Sequence, residues 1–149
     1  MKEITGDLWD YYNKPGFVVC ITTNCCVTKN GRAVMGKGIA LQAKLRIPDI
    51  DLDLGCWLRS YPTGGVHLLD NGKIMVFPTK YDWRLKSPIS LIQRSAYQLG
   101  LGAKAHSDWT FILPRPGCAN GGLEWEEVRP LLKDLPDNVW IIERKKNAD

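Results

Sequence analysis

One lysine and two glycine-rich turns carry the chemistry legible in this sequence. Phe77-Pro78-Thr79-Lys80-Tyr81-Asp82-Trp83 sets a primary amine at the end of an apolar run, among aromatic residues. Partial desolvation there favours the neutral amine, a nucleophile toward an electrophilic carbon. A solvated lysine with its stem along Trp83 has the same spelling. Met35-Gly36-Lys37-Gly38-Ile39-Ala40 leads into a helix-like run, and Pro114-Arg115-Pro116-Gly117-Cys118-Ala119-Asn120-Gly121-Gly122-Leu123-Glu124-Trp125 does the same. Glycines let backbone N–H groups approach a phosphate, and a helix N-terminus adds a favourable dipole. Either segment alone is a tight turn of a common kind; together they can grip a diphosphate from both sides. The full dinucleotide fingerprint and the P-loop pattern are both missing, which disfavours a nicotinamide oxidoreductase or a standard nucleoside triphosphatase.

These three segments need strands to hold them. Phe17-Val18-Val19-Cys20-Ile21 is short, β-branched and continuously apolar, the pattern of a strand buried on both faces. Ile39 to Leu45 reads as a helix that Pro48 ends. Val66–Leu69 and Ile74–Phe77 flank Asp70-Asn71-Gly72-Lys73, a hairpin signal. Ser87-Pro88 reads as a cap and first helical residue. That helix turns Ile89, Ile92, Ala96 and Leu99 inward and stops near Gly100 to Gly102. Trp109 to Leu113 is another buried strand. Leu123 to Leu132 is a helix with Trp125, Val128, Leu131 and Leu132 on one side, kinked or delayed by Pro130. Val139 to Ile142 is the last strand, followed by a charged tail that frays. Strands alternating with helices predict a layered α/β domain with a largely parallel sheet, whose ligands bind beyond the carboxyl ends of the strands.

Composition narrows the class. At 149 residues the chain is expected to form a single domain over residues 1–149. With 44% hydrophobic residues it is not a disordered chain. A net charge of +4 only mildly favours anionic partners. There is no apolar stretch long enough to span a bilayer, and the opening residues lack a secretory h-region. Cys20, Cys25, Cys26, Cys56 and Cys118 are therefore expected to be reduced thiols in a cytoplasmic protein. His67 and His106 have no partner at zinc spacing, so neither a metal nor a cofactor is expected.

Taken in order, the motifs resemble the macrodomain family of ADP-ribose-binding and ADP-ribose-processing modules. Ile4-Thr5-Gly6-Asp7-Leu8 looks like its first-strand Gly-Asp element. Thr23-Asn24-Cys25 with Met35–Gln42 looks like its first ligand loop and helix, and Pro114–Trp125 like its second loop. Phe77-Pro78-Thr79-Lys80 and Gly117-Cys118-Ala119-Asn120-Gly121-Gly122-Leu123-Glu124-Trp125 are most similar to the DarG-type antitoxin branch, the DNA ADP-ribosyl glycohydrolases. That branch removes ADP-ribose from thymidine in DNA and so reverses a DarT-type toxin.

The resemblance implies a three-layer α/β/α domain around a mixed, largely parallel six-stranded sheet. It implies that Asp7 accepts from the adenine amino group, with the Leu8 backbone beside it. Asn24 would hold the distal ribose. Met35, Gly36, Lys37, Gly38, Ile39 and Ala40 on one side, and Pro114, Gly117, Cys118, Ala119, Asn120, Gly121, Gly122 and Leu123 on the other, would bind the diphosphate. Lys80 would be catalytic. A monomeric enzyme is expected, with ADP-ribose as ligand or product and ADP-ribosylated single-stranded DNA as substrate. A non-catalytic ADP-ribose reader and a hydrolase of ADP-ribose 1″-phosphate or protein-linked ADP-ribose share the same grip. Two features depart from the pattern. Residues 27–34 lengthen the first loop, where Lys29 and Arg32 can reach a nucleic-acid phosphate or form a solvated tip. Gly121 stands where the protein-directed branch has a catalytic aspartate, which fits the DNA-directed branch better. Asp82 and Glu124 are weak candidates for a general acid, and Trp57, Trp83 and Trp125 for stacking a base.

Overall fold

The computed structural model describes residues 1–145; the end of the charged tail, residues 146–149, lies outside them. Six strands form one sheet: β1 (Lys2–Gly6), β2 (Phe17–Thr23), β3 (His67–Leu69), β4 (Ile74–Pro78), β5 (Thr110–Pro114) and β6 (Val139–Arg144). Their order is β1-β6-β5-β2-β4-β3. All neighbours are parallel except β3, which runs antiparallel to β4. The β3–β4 hairpin turns through Asp70, Asn71 and Gly72, all at positive φ.

Alternation along the central strands explains their unbroken apolar spelling. In β2, Val19 and Ile21 join one core while Val18 and Cys20 join the other. In β5, Ile112 faces the first core and Phe111 and Leu113 the second. The first core is closed by Ala40 and Ala43 of α1 (Gly38–Arg46) and by Leu54 and Leu58 of α2 (Ile50–Ser60). The second is closed by Ile92, Ala96, Leu99 and Ala103 of α3 (Ile89–Ala105) and by Val128 of α4 (Trp125–Val128). The result is the expected three-layer α/β/α arrangement on a mixed six-stranded sheet.

Several local expectations are corrected. Helix α2 was not expected at all: Ile50, Leu52 and Leu54 alternate like a strand, and Gly55 interrupts the run. Ser87 does not cap α3. Its N–H donates to the Gly121 carbonyl at 3.0 Å, Pro88 stays extended at ψ 132°, and the helix starts at Ile89. Ile89 faces water rather than the core. Gly100 and Gly102 do not end α3, which continues to Ala105. Pro130 divides the last helical stretch into α4 and a 3-10 turn, Arg129–Leu132, while Trp125, Val128, Leu131 and Leu132 all pack on the second core as expected.

Because β1, β2, β4, β5 and β6 are parallel, their carboxyl ends open on one side of the sheet. Asp7, Asn24, Thr79-Lys80 and Arg115 follow four of those ends, and Lys145 follows the fifth.

Candidate active site

A cleft of ≈ 1760 Å³ runs along that side. It exceeds the range of about 300–1,000 Å³ for small-molecule sites and leaves room for a ligand attached to something larger. Of the residues singled out from sequence, Asp7, Leu8, Asn24, Gly36, Lys37, Gly38, Ile39, Ala40, Lys80, Pro114, Gly117, Cys118, Ala119, Asn120, Gly121 and Gly122 line it. Met35 and Leu123 do not: both are buried, Met35 in the first core and Leu123 in the second, where they anchor their loops.

The cleft is strongly cationic. Lys37, Arg46, Lys80, Arg84, Lys86, Arg115, Arg144 and Lys145 line it against Asp7, Asp10 and Glu143. The chain's modest charge is thus concentrated where an anion would sit.

At one end, Asp7 caps the 3-10 turn Leu8–Tyr11 by accepting from Trp9 N–H at 2.9 Å through Oδ1. Oδ2 has no partner among the described residues. Trp9 Nε1 donates to Gln42 Oε1 at 2.7 Å, and the Arg46 guanidinium lies 4.8 Å from the Trp9 ring centroid. Trp9, Gln42 and Arg46 line this end, and the sequence reading missed them. So did it miss Glu143, Arg144 and Lys145 at the end of β6.

Asn24 does structural work. Its Oδ1 accepts from Cys26 N–H at 2.9 Å and its Nδ2 donates to the Val34 carbonyl at 3.0 Å. The long loop is pinched shut at its base, with a bridge between Val27 and Ala33 above. Arg32 turns away from the cleft and pairs with Asp51 at 2.9 Å and Asp49 at 3.3 Å. No residue from Cys25 to Ala33 lines the cleft, and of the two readings open for Arg32 the structure shows its guanidinium engaged by carboxylates of its own chain.

The two glycine turns meet. Gly38 has φ +58°, and a Cβ there would lie 2.9 Å from Asn120 Nδ2. The first intrahelical bond of α1 runs from Leu41 N–H to the Lys37 carbonyl, so the N–H groups of Gly38, Ile39 and Ala40 precede it and need other acceptors. In the second turn, Leu123 N–H returns to the Gly117 carbonyl at 2.9 Å. The N–H groups of Ala119, Asn120 and Gly121 have no acceptor among the described residues. Gly122 takes the positive φ expected of a turn, +73°, but Gly121 is glycine for packing reasons. A Cβ on it would sit 2.5 Å from the Gly117 carbonyl oxygen, 2.6 Å from Gly117 Cα and against Ser87 Oγ. This backbone leaves no space for an aspartate side chain at 121.

Lys80 is held against the end of β2: Thr79 N–H and Lys80 N–H both donate to the Thr23 carbonyl, at 2.9 and 3.4 Å. Its Nζ donates to the Trp83 carbonyl at 3.3 Å. The expected aromatic enclosure of the amine is not formed. Phe77 is buried in the second core, while Tyr81 and Trp83 are exposed. Neither weak candidate acid is free. Two hydrogen bonds from the Arg84 side chain and one from its N–H hold the Asp82 carboxyl down at about 2. Glu124 forms a capping box with Glu127 at the start of α4. Cys118, at the cleft wall, has its thiol pushed up by burial and stays protonated. Among the described residues no group of metal-ligating side chains is assembled, and no helix is long and apolar enough to cross a membrane.

No protein-family model matches the chain. It is 34% identical over 127 residues to a DNA ADP-ribosyl glycohydrolase from Mycobacterium tuberculosis, covering 77% of this chain and 36% of that protein. The chain therefore spans about a third of the length of that curated relative. The macrodomain of Mycobacterium tuberculosis DarG superimposes with a TM-score of 0.75 at 28% identity, covering 99% of this chain and 100% of the other. Thermosipho africanus DarTG, solved in complex with ADP-ribose, gives a TM-score of 0.75 at 21% identity, covering 100% of this chain and 43% of that one. Superposition over the whole chain and sequence identity agree: the chain belongs to the macrodomain family, as a macrodomain of the DarG type.

Proposed function

We propose that this domain is an ADP-ribosyl glycohydrolase that binds ADP-ribose and releases it from thymidine in single-stranded DNA, with Lys80 as its catalytic residue. The carrying observation is that Lys80 lines the same cleft as two glycine turns that touch each other at Gly38 and Asn120. The activity in the name of the Mycobacterium tuberculosis relative and the ADP-ribose in the Thermosipho africanus complex support the same reading.

In this reading the unpaired N–H groups at the start of α1 and at Ala119–Gly121 bind the diphosphate, aided by the surrounding cations. The free oxygen of Asp7 accepts from the adenine amino group, with the Leu8 backbone beside it. The remaining N–H of the Asn24 amide is available to the distal ribose. Fixing the sugar beside the amine in this way can contribute about 7 kcal/mol or more to catalysis.

Once it has given up a proton, the Nζ of Lys80 bonds to C1″ of the distal ribose as the bond from C1″ to the thymine nitrogen breaks. The electron pair leaves on the thymine nitrogen, which takes the proton that Nζ sheds. Opening of the sugar ring gives an imine; water then adds to C1″, the amine departs, and ADP-ribose is released. One water is consumed overall. No separate carboxylic acid is required, and the three carboxylates of the cleft follow β1 or lie at the end of β6 rather than beside Lys80. Both turns, Asp7 and Lys80 come from one chain, so the domain works as a monomer. As a module that reverses DNA ADP-ribosylation, it would serve as the antitoxin to a DNA-modifying toxin.

The test offers a single-stranded oligonucleotide with thymidine-linked ADP-ribose, a glutamate-modified protein and ADP-ribose 1″-phosphate side by side. Release from the oligonucleotide is expected. Tight binding of ADP-ribose with release from none of the three would make the domain a reader.

A further inference from the structure

Beyond Lys80 the chain runs through residues 81–88 without helix or strand before α3 begins. This segment leaves large side chains in water: Tyr81 is 43% exposed, Trp83 48% and Leu85 64%. Of the six tryptophans, Trp83 is the only exposed one. Trp57 is sandwiched between Tyr61 and His67 at 4.0 and 3.7 Å, and Trp125 is half-buried under the Arg115 guanidinium. The structure therefore separates Trp83 from Trp57, and it packs Trp125 on the second core as its place on an apolar helix face implies.

Each exposed ring at Tyr81 and Trp83 has a guanidinium beside it, and each guanidinium is anchored elsewhere. Arg94 lies 5.9 Å from the Tyr81 ring and donates to the Thr63 carbonyl. Arg84 lies 5.9 Å from the Trp83 ring and is held by Asp82. The guanidiniums of Arg84 and Arg94 beside the rings, with Lys86 on the same segment, set positive charge against the one carboxylate of residues 81–88, Asp82. Single-stranded nucleic acid offers alternating phosphates and base faces, and proteins hold it with cations and aromatic platforms in the same alternation.

We infer that Tyr81 and Trp83, with Arg94 and Arg84, form the track that seats the nucleotides flanking the modified thymidine. The inference rests on the glycohydrolase reading and names the groups that meet the substrate beyond its ADP-ribose, on a rim where Trp83 and Arg84 line the cleft and Tyr81 and Arg94 extend it outward. It makes the domain selective for a strand over an isolated nucleoside. The track begins at Lys80, whose Nζ is bonded to the Trp83 carbonyl. A strand lying on it therefore brings the modified base to the amine.

The test compares kcat/KM of the 149-residue chain for two substrates: ADP-ribosyl-thymidine and a single-stranded oligonucleotide carrying the same linkage. The unaltered chain is expected to prefer the oligonucleotide by about tenfold or more, the size of one lost base stack. Tyr81→Ala should lose about that factor on the oligonucleotide, through KM, and none on the nucleoside; Tyr81→Phe, which keeps the ring, should lose neither. Trp83→Ala, whose carbonyl to Lys80 is retained, should lower the ratio between the two substrates. Equal kcat/KM on both substrates in the unaltered chain overturns the inference and leaves the rim to some other partner. So does an equal loss on both in Tyr81→Ala. If the unaltered chain cleaves neither substrate, the glycohydrolase reading itself fails.

Discussion

Gly38 and Asn120 come from opposite sides of the cleft and meet closely: a Cβ on Gly38 would lie 2.9 Å from Asn120 Nδ2, so the amide would have to swing aside to admit it. The contact closes the two turns into one clasp across the middle of the site. Gly38→Ala adds both that clash and an alanine at φ +58°, a backbone state that costs about 1–2 kcal/mol outside glycine. Affinity for ADP-ribose, read by calorimetry, should fall by about tenfold while the domain stays folded. An unchanged affinity would remove the clasp from the account.

At Gly121 the expected effect is on stability. A Cβ there meets Gly117 backbone that cannot swing aside, so Gly121→Ala should cost about 1–3 kcal/mol of overpacking, seen as a lower thermal midpoint. Gly121→Asp should not acquire release from glutamate-modified protein. A stable Gly121→Asp variant with that new activity would contradict the packing argument.

Asn24→Ala removes the latch at the base of the 24–34 loop. Two hydrogen bonds are lost, and about 1–3 kcal/mol of stability should go with them. Thermal midpoint and ADP-ribose affinity should fall together; a drop in affinity alone would show that the latch is dispensable.

The Asp82 carboxyl, held at about 2 by Arg84, is lowered in the folded state. Its contribution to stability is thus present above the ordinary carboxylate range and lost as pH falls toward 2. Throughout the neutral range it stays ionised and accepts no proton. Arg84→Ala should return its titration toward 3.8, the ordinary value, as followed by carboxyl NMR. Asp82→Asn should leave the acid limb of the pH–rate profile where it was. A shifted limb would mean that Asp82 takes part in proton transfer.

Much of this architecture is written locally. Phe17–Ile21 spells a strand covered on both faces because helices do cover both, and Asn71-Gly72 turns where the hairpin turns. The three loops that carry the cleft were legible because each follows a strand whose direction the parallel sheet fixes. What escaped the sequence depends on distant partners. Gly55 sits inside α2 because the Gly31 carbonyl packs where its Cβ would be, and nothing near residue 55 announces that. Ser87-Pro88 has the spelling of a helix start, but the Ser87 N–H is claimed by Gly121 across the site. Trp9, Gln42 and Arg46 join the cleft through a hydrogen bond and a cation–π contact between two separate elements, which no motif spans. The isolation of Trp83 in water could be known only after the other five tryptophans had found cover.

The central claim concerns one amine. Lys80→Ala removes a half-buried side chain whose recorded bond is to the Trp83 carbonyl, leaving both glycine turns and Asp7 in place. The direct measurement is ADP-ribose release from a thymidine-modified single-stranded oligonucleotide, made alongside ADP-ribose affinity on the same preparation. The account predicts that release stops while affinity stays within about threefold of the unaltered domain. Release continuing at the unaltered rate would contradict it.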